Sequence, residues 1–241
     1  MLSNLTIRGM AAAVLATVGL AFASPAGWAQ SAAPATKASP PAPAAAPAPA
    51  KPAYDVAGFR GAHFGMDEAQ VRAAIQADFS VKPDAIKVVP NAMERTTALV
   101  VALPALEPGP GPATAVYILG YKSKKLIQVN LVWTQNAAAD KSDSGPYLVA
   151  GVQLANYFNG FGWRDGKVTM GAPSGSNTLV LFAAEDGKTG AVQVVVNGVA
   201  FERKDGKVET APQAPGSVSL RVAYIANRAE PDIFKLQPGR F

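Results

Sequence analysis

Apolar residues recur at helical spacing in two stretches of this chain. The first stretch predicts a helix from about Glu68 to Asp78. Asp67 can accept hydrogen bonds from the free N–H groups of the first turn, and Gln70 can accept one from Asp67, which completes a capping box. Pro83 prevents a long continuation of the helix. The apolar stripe consists of Val71, Ala74, Ile75 and Phe79.

The second helical stretch begins at Pro146, which suits a first helical turn, and runs to about Asn159, before Gly160 and Gly162. Between and after the helices, apolar and polar residues alternate in short runs, as is typical of half-buried strands. These runs cover residues 86–89, 96–103, 114–121, 126–134, 178–184, 192–196, 199–203 and 218–226, and residues 229–241 are expected to form an irregular tail.

The order of helix followed by strands occurs twice. Because the strands alternate instead of being apolar throughout, an antiparallel sheet is favoured over a parallel one. We therefore predict an α+β fold, mainly an antiparallel sheet with two principal helices. The order also suggests two α-β-β-β units that share one core, within residues 54–135 and 145–228.

The N-terminal part of the chain has the pattern of an export signal. Arg8 precedes an apolar run over residues 10–23, which is too short for a comfortable transmembrane span. Gly27 and Ala29 are small residues at the −3 and −1 positions of a cleavage site, so residues 1–29 are interpreted as a signal peptide. The alternatives place the cleavage after residue 23 or 26, or leave the segment as an uncleaved anchor.

Residues 30–52 are rich in proline and alanine and are interpreted as a linker between the signal and a globular domain over residues 54–241. Proline favours the extended polyproline II conformation, in which this stretch would reach about 70 Å. The linker is either a spacer that holds the domain away from whatever the N-terminus contacts or a passive leader.

Charge and composition exclude several classes of function. The net charge of +5 falls to +2 for the globular part, because Arg8, Lys37 and Lys51 precede it and no acidic residue does. This small excess does not indicate a nucleic-acid partner. The chain has no cysteine, which excludes disulfides, cysteine zinc sites and thiol catalysis.

Candidate catalytic residues are few. His63 is the only histidine and lies between glycines ahead of the first helix, where no acid is placed to orient it. No metal-ligand spacing or cofactor fingerprint is present, so we expect no catalytic, metal-binding or cofactor-binding residue. A pair of carboxylates for hydrolysis remains an alternative, and its candidates are Glu68, Glu94, Glu107, Glu185, Glu202 and Glu209.

The hairpin over residues 114–134 carries the candidate partner-binding residues. Lys122, Lys124 and Lys125 at its turn are the only concentration of positive charge in the domain. Lysines at a hairpin tip are exposed and can meet an acidic surface. Tyr117 and Tyr121 flank the turn, and they are expected to supply the aromatic contact area that interfaces favour.

The start of the first helix resembles a motif of small bacterial envelope domains. Phe64-Gly65-Met66-Asp67 followed by Val71 is similar to the helix start of SmpA/BamE-like and β-lactamase-inhibitor-like modules. The resemblance implies helices laid on a small antiparallel sheet and a role in binding other proteins. SmpA/BamE lipoproteins carry a lipidated cysteine after the signal, and this chain has no residue for that anchor.

These patterns together favour an exported periplasmic protein that serves as a non-catalytic binding or adaptor module of the cell envelope. The expected partner is another envelope protein, and the mature chain is expected to lack a transmembrane segment. Two alternatives remain open. One is a carboxylate-based periplasmic hydrolase acting on a glycan or peptide, and the other is a structural envelope protein.

We expect the mature protein to begin at Gln30, because signal cleavage requires the small residues found at positions 27 and 29. N-terminal sequencing of the protein recovered from cells tests this expectation. A chain that begins at Met1 and remains in the cytoplasm would contradict it.

Overall fold

The computed structural model describes residues 50–135, 143–175, 177–204, 207–210, 217–236 and 239, with the backbone alone at 201–204 and 207–210. The predicted signal peptide and nearly all of the linker lie outside the described residues. The helices are α1 (Glu68–Phe79) and α2 (Gly145–Asn159). The strands are β1 (Gly58–Phe59), β2 (Ala62–His63), β3 (Lys87–Asn91), β4 (Thr96–Leu103), β5 (Ala113–Leu119), β6 (Leu126–Thr134), β7 (Val168–Pro173), β8 (Thr178–Glu185), β9 (Ala191–Asn197), β10 (Phe201–Lys204), β11 (Lys207–Thr210) and β12 (Ser219–Ile225).

Eight of these strands form one antiparallel sheet in the order β3-β4-β5-β6-β12-β9-β8-β7. The predicted α+β fold with an antiparallel sheet is therefore confirmed, although strands dominate it. Four strands of this sheet follow each helix, one more than the suggested α-β-β-β units contain. Those that follow α1 form one half of the sheet, and those that follow α2 form the other half. The pairing of β6 with β12 joins the two halves.

Four strands were not predicted from the sequence, namely β1, β2, β7 and β11. Strand β7 lies at the edge of the sheet and most of its residues are exposed, so no burial pattern of period two marks it. Strand β11 pairs with β10 in a separate two-stranded sheet. The run predicted over residues 199–203 therefore belongs to this small sheet instead of the main one.

Helix α1 begins with the predicted capping box. The Gln70 N–H donates to Asp67 Oδ1 at 3.0 Å, and the Asp67 N–H donates to Gln70 Oε1 at 3.0 Å. Val71 and Ile75 of its apolar stripe are fully buried. The helix ends at Phe79, one residue beyond the prediction, and Ser80 follows in the left-handed conformation with a φ of 52°.

Both helices cover the same face of the sheet. On α2, a side chain at Gly151 would collide with Leu181, so the absence of a side chain lets this helix lie close to the strands. The Tyr224 ring of β12 lies 6.1 Å from Phe158 of α2 and 5.5 Å from Phe59 ahead of α1. Residues of both helices and of the strands beneath them therefore share one hydrophobic core.

Asp186 is one of two polar residues that are buried among the described residues, with 2% of its surface exposed. Its carboxylate accepts hydrogen bonds from the N–H groups of Lys188 and Gly190 at 2.8 and 2.9 Å, and from that of Val56 at 3.1 Å. It closes the turn between β8 and β9 and fastens the chain ahead of α1 to that turn. The loop that it closes runs from Asp186 to Gly190.

We expect Asp186→Ala to lower the free energy of unfolding by about 2–4 kcal/mol, because it leaves three backbone donors without their charged acceptor. Urea denaturation measures the change. Asp84→Ala is the matched control and should be nearly neutral, because Asp84 is exposed and its side chain makes no hydrogen bond with a described residue. Equal unfolding midpoints for the two variants would contradict the structural role of Asp186.

Candidate functional site

The turn between β5 and β6 is clamped by the segment that follows β12. The Asp232 carbonyl accepts a hydrogen bond from the Tyr121 N–H at 2.8 Å. The Asp232 carboxylate accepts hydrogen bonds from the N–H groups of Lys122 at 3.0 Å and Ser123 at 2.8 Å. We call the turn that carries Lys122, Lys124 and Lys125 the lysine turn. The segment predicted as an irregular tail therefore holds the lysine turn in one conformation.

The Asp232 carboxylate is stabilised in its charged form by this clamp. Burial alone would raise its pKa, but the hydrogen bonds from Ser123 and Lys122, together with the charge of Lys122, outweigh that effect. The pKa of Asp232 is therefore lowered from its ordinary value.

Aromatic contacts hold the same segment against the sheet. The rings of Tyr121 and Phe234 meet edge to face at 5.6 Å, and the Arg95 guanidinium lies 3.7 Å from the centre of the Phe234 ring. The Phe234 N–H donates to the Glu94 carbonyl at 2.8 Å. Tyr121 is half-buried in this cluster, so only part of its surface remains for a partner.

The structure corrects the interpretation of Tyr117 as a contact residue. Tyr117 is fully buried beneath the helices, where it pairs with Leu99 of β4 and Val129 of β6. Its hydroxyl has no hydrogen-bond partner among the described residues, and burial raises its pKa well above the usual range. A partner cannot reach a side chain in this position.

The three lysines of the turn differ in their surroundings. The Nζ atom of Lys125 lies 3.5 Å from Asp67 Oδ2, so this lysine links the turn to the cap of α1. Lys124 Nζ lies 5.7 Å from the centre of the Tyr121 ring, and Lys122 is exposed beside Asp232. Nearby carboxylates thus offset part of the charge that the sequence places here.

A cavity of about 200 Å³ lies beside this clamp. Ile118, Ile225 and Ile233 supply apolar walls, whereas Glu94 and Glu230 bring negative charge. The cavity opens where the tail meets the face of the sheet that the helices leave uncovered. Its size suits a single side chain or a small polar group.

We call this uncovered surface the bare face and define it by Val100, Val116, Ile118, Asn130, Val132 and Arg221. These residues alternate along their strands with the buried residues of the core, and all six are half-buried. No helix in the described part of the chain packs against them, because α1 and α2 both lie on the opposite side. The bare face therefore presents small apolar side chains around a few polar groups.

Arg221 lies on β12, at one end of the bare face and near the middle of the whole sheet. Its cross-strand neighbours are Val132 on β6 and Val195 on β9, both apolar. The guanidinium makes no hydrogen bond or ion pair with a described residue, and burial lowers its pKa from the ordinary value. Sequence reasoning missed this residue, although the alternation of Leu220, Arg221 and Val222 places it opposite the core.

The candidate catalytic residues do not converge in the described structure. His63 is exposed, Glu68 binds Arg72 at 2.9 Å, and Glu185 lies within 4 Å of Arg164, Lys167 and Arg228. Among the described residues, no three acidic or histidine side chains form a group that could hold a metal ion. None of the described helices is long and apolar enough to cross a lipid bilayer.

Comparison with known proteins gives no relative: no family model, curated protein or solved structure matches this chain. The features of the chain from which a function can be inferred are the bare face, the lysine turn and the cavity between them.

We expect Asp232→Ala to release the tail from the turn, because the N–H groups of Lys122 and Ser123 lose their acceptor. Hydrogen exchange of these two amides should then become much faster, while exchange within α2 stays unchanged. Unchanged protection at both amides would contradict the clamp.

The same clamp should weaken in acid. A lowered pKa in the folded state means that the contribution of Asp232 to stability is complete above the pKa of the unfolded chain. It is lost as the pH falls through the folded pKa. In an NMR titration, the amide signals of Lys122 and Ser123 should therefore move together below the pH at which an ordinary aspartate titrates.

Proposed function

We propose that this protein is a non-catalytic binding module whose binding surface is the bare face. The observation that carries the proposal is a patch of half-exposed apolar residues on β4, β5 and β6, of which Val100, Val116 and Val132 are examples. In a domain built of one sheet and one layer of helices, apolar residues on the uncovered face of the sheet do not contribute to the core. Contiguous exposed apolar surface on a soluble domain commonly marks an interaction site.

The architecture suits such a role because the surface is rigid. Seven antiparallel pairings hold the strands, and both helices brace the sheet from behind. Rigid scaffolds lose little conformational freedom on binding, which favours affinity. Eight strands at about 4.8 Å spacing span roughly 34 Å, a width that about ten residues of an extended peptide would cross.

The setting that we propose is the cell envelope. The signal-like pattern of residues 1–29 and the proline-rich segment of residues 30–52 favour an exported domain on a spacer. The resemblance of the helix start to small envelope domains that bind other proteins supports the same setting. Lys122 and Lys124 at one end of the surface would speed the encounter with an acidic partner.

A carboxylate-based hydrolase has less support. Glycoside hydrolysis requires two carboxylates on either side of the substrate. Glu68 is engaged with Arg72, and Glu185 is surrounded by three cations, so neither is placed for that chemistry.

The test uses displayed random peptides of about ten residues, selected on the full chain, a length that matches the width of the sheet. We expect Val116→Asp to weaken the selected peptides at least about tenfold, equivalent to about 1.4 kcal/mol, because it places a charge in the apolar surface. Peptide-induced NMR shifts in the wild-type chain should also cluster on β5, β6 and β12.

The matched control is Val149→Asp, the same substitution on the solvent-facing side of α2, where Val149 is 60% exposed. It should leave the affinity unchanged. Thermal unfolding of both variants separates lost binding from lost structure. Peptides that bind both variants equally, with NMR shifts elsewhere, would rule out the bare face as the binding surface.

A further inference from the structure

We propose that Arg221 is the specificity-determining residue of the bare face and binds the carboxylate of an Asp or Glu in an extended segment of a partner protein. This inference rests on the proposed function, because it assigns the partner's chemistry at the same surface.

Arg221 is central because of the strand that carries it. Strand β12 lies between β6 and β9, with three further strands beyond β6 and two beyond β9. A peptide that crosses the whole sheet along the strand order therefore crosses the strand that carries Arg221. Interface residues that contribute most to affinity tend to lie at such central positions, and arginine is enriched among them.

Arg221 differs from every other arginine whose side chain the structure describes. Three of the others form ion pairs, and two lie over aromatic rings. Arg221 alone makes neither contact nor any hydrogen bond with a described residue. The five engaged residues are Arg60, Arg72, Arg95, Arg164 and Arg228.

Among the described residues, the cross-strand rows around Arg221 carry no negative charge. Neither its own cross-strand row nor the row on either side includes an Asp or Glu. The nearest polar groups on the same face are uncharged, and they include Asn130 and the Gln193 amide, which makes no hydrogen bond with a described residue. The guanidinium is thus partly removed from water without a compensating partner.

An incoming carboxylate would supply that partner. Arginine and carboxylate groups form two parallel charge-assisted hydrogen bonds, which are stronger than neutral ones. Val132 and Val195 on either side would exclude water from the pair as the partner binds, which strengthens the electrostatic interaction. The unpaired charge does not stabilise the unbound domain, as expected of a residue whose role is to bind a partner.

A protein carboxylate fits this position better than a phosphate group. Phosphate sites usually combine several cations or a helix N-terminus with backbone donors. Arg221 is a single cation on a strand, enclosed by valines and uncharged amides. One negative charge carried on an amphipathic peptide matches both the charge and the apolar surroundings.

The experiment extends the peptide selection on the full chain. We expect the recovered peptides to carry one Asp or Glu among apolar residues. Arg221→Gln should weaken their binding at least about tenfold, and Arg221→Lys should weaken it less, because charge remains while the paired geometry is lost. Arg164→Gln, at an arginine already engaged with Glu185, is the control and should change nothing.

A double-mutant cycle isolates the contact. Replacing the acidic residue of the peptide with Gln or Asn should weaken binding to the wild-type chain as much as Arg221→Gln does. The neutral peptide should then bind the wild-type chain and Arg221→Gln equally. Thermal unfolding of Arg221→Met, which keeps an apolar stem, should show no loss of stability.

The two proposals fail in different ways. If Val116→Asp abolishes binding but Arg221→Gln does not, or if the recovered peptides lack acidic residues, the role of Arg221 is overturned while the bare face stands. If inorganic phosphate displaces the peptides at equal concentration, the site recognises small anions instead of a protein carboxylate. If neither variant changes binding, the bare face itself is not the binding surface.

Discussion

The pairing of β6 with β12 determines the arrangement of the rest of the molecule. Seven cross-strand pairs, from Ser219 opposite Thr134 to Ile225 opposite Gln128, join two four-stranded halves into one sheet. The register aligns Leu220 with Trp133 and Val222 with Leu131, so the apolar rows of the two halves meet beneath the helices. A slip of one residue would turn each side chain of β12 to the other face and drive Arg221 into the core.

The same register creates the surface on the other side. Side chains alternate along a strand. Because Leu220 and Val222 are buried beneath the helices, Arg221 between them must face the other side of the sheet. Both helices pack against the same face of the sheet, so no helix of the described structure covers the other face. The core and the candidate binding surface are therefore two results of one pairing.

Local features could be predicted from the sequence, whereas long-range ones could not. The cap at Asp67 depends on residues within one turn, and the strand of residues 126–134 depends on its own alternation. The clamp connects Asp232 with two residues that lie 109 and 110 positions earlier in the chain, and no local pattern reveals such a contact. The position of Tyr117 close to the lysines suggests an exposed side chain, but its alternation with Thr114 and Val116 assigns it to the buried row.

The central strand of the sheet is also the last of the described strands to be synthesised. Until β12 exists, β6 and β9 are open edges, and open edges pair readily with other chains. The sheet can therefore close only late, after contacts that span much of the chain have formed, and such topologies fold slowly. A product truncated before Ser219 would keep two unpaired edges and an incomplete core. The solubility of the domain therefore depends on the presence of strand β12.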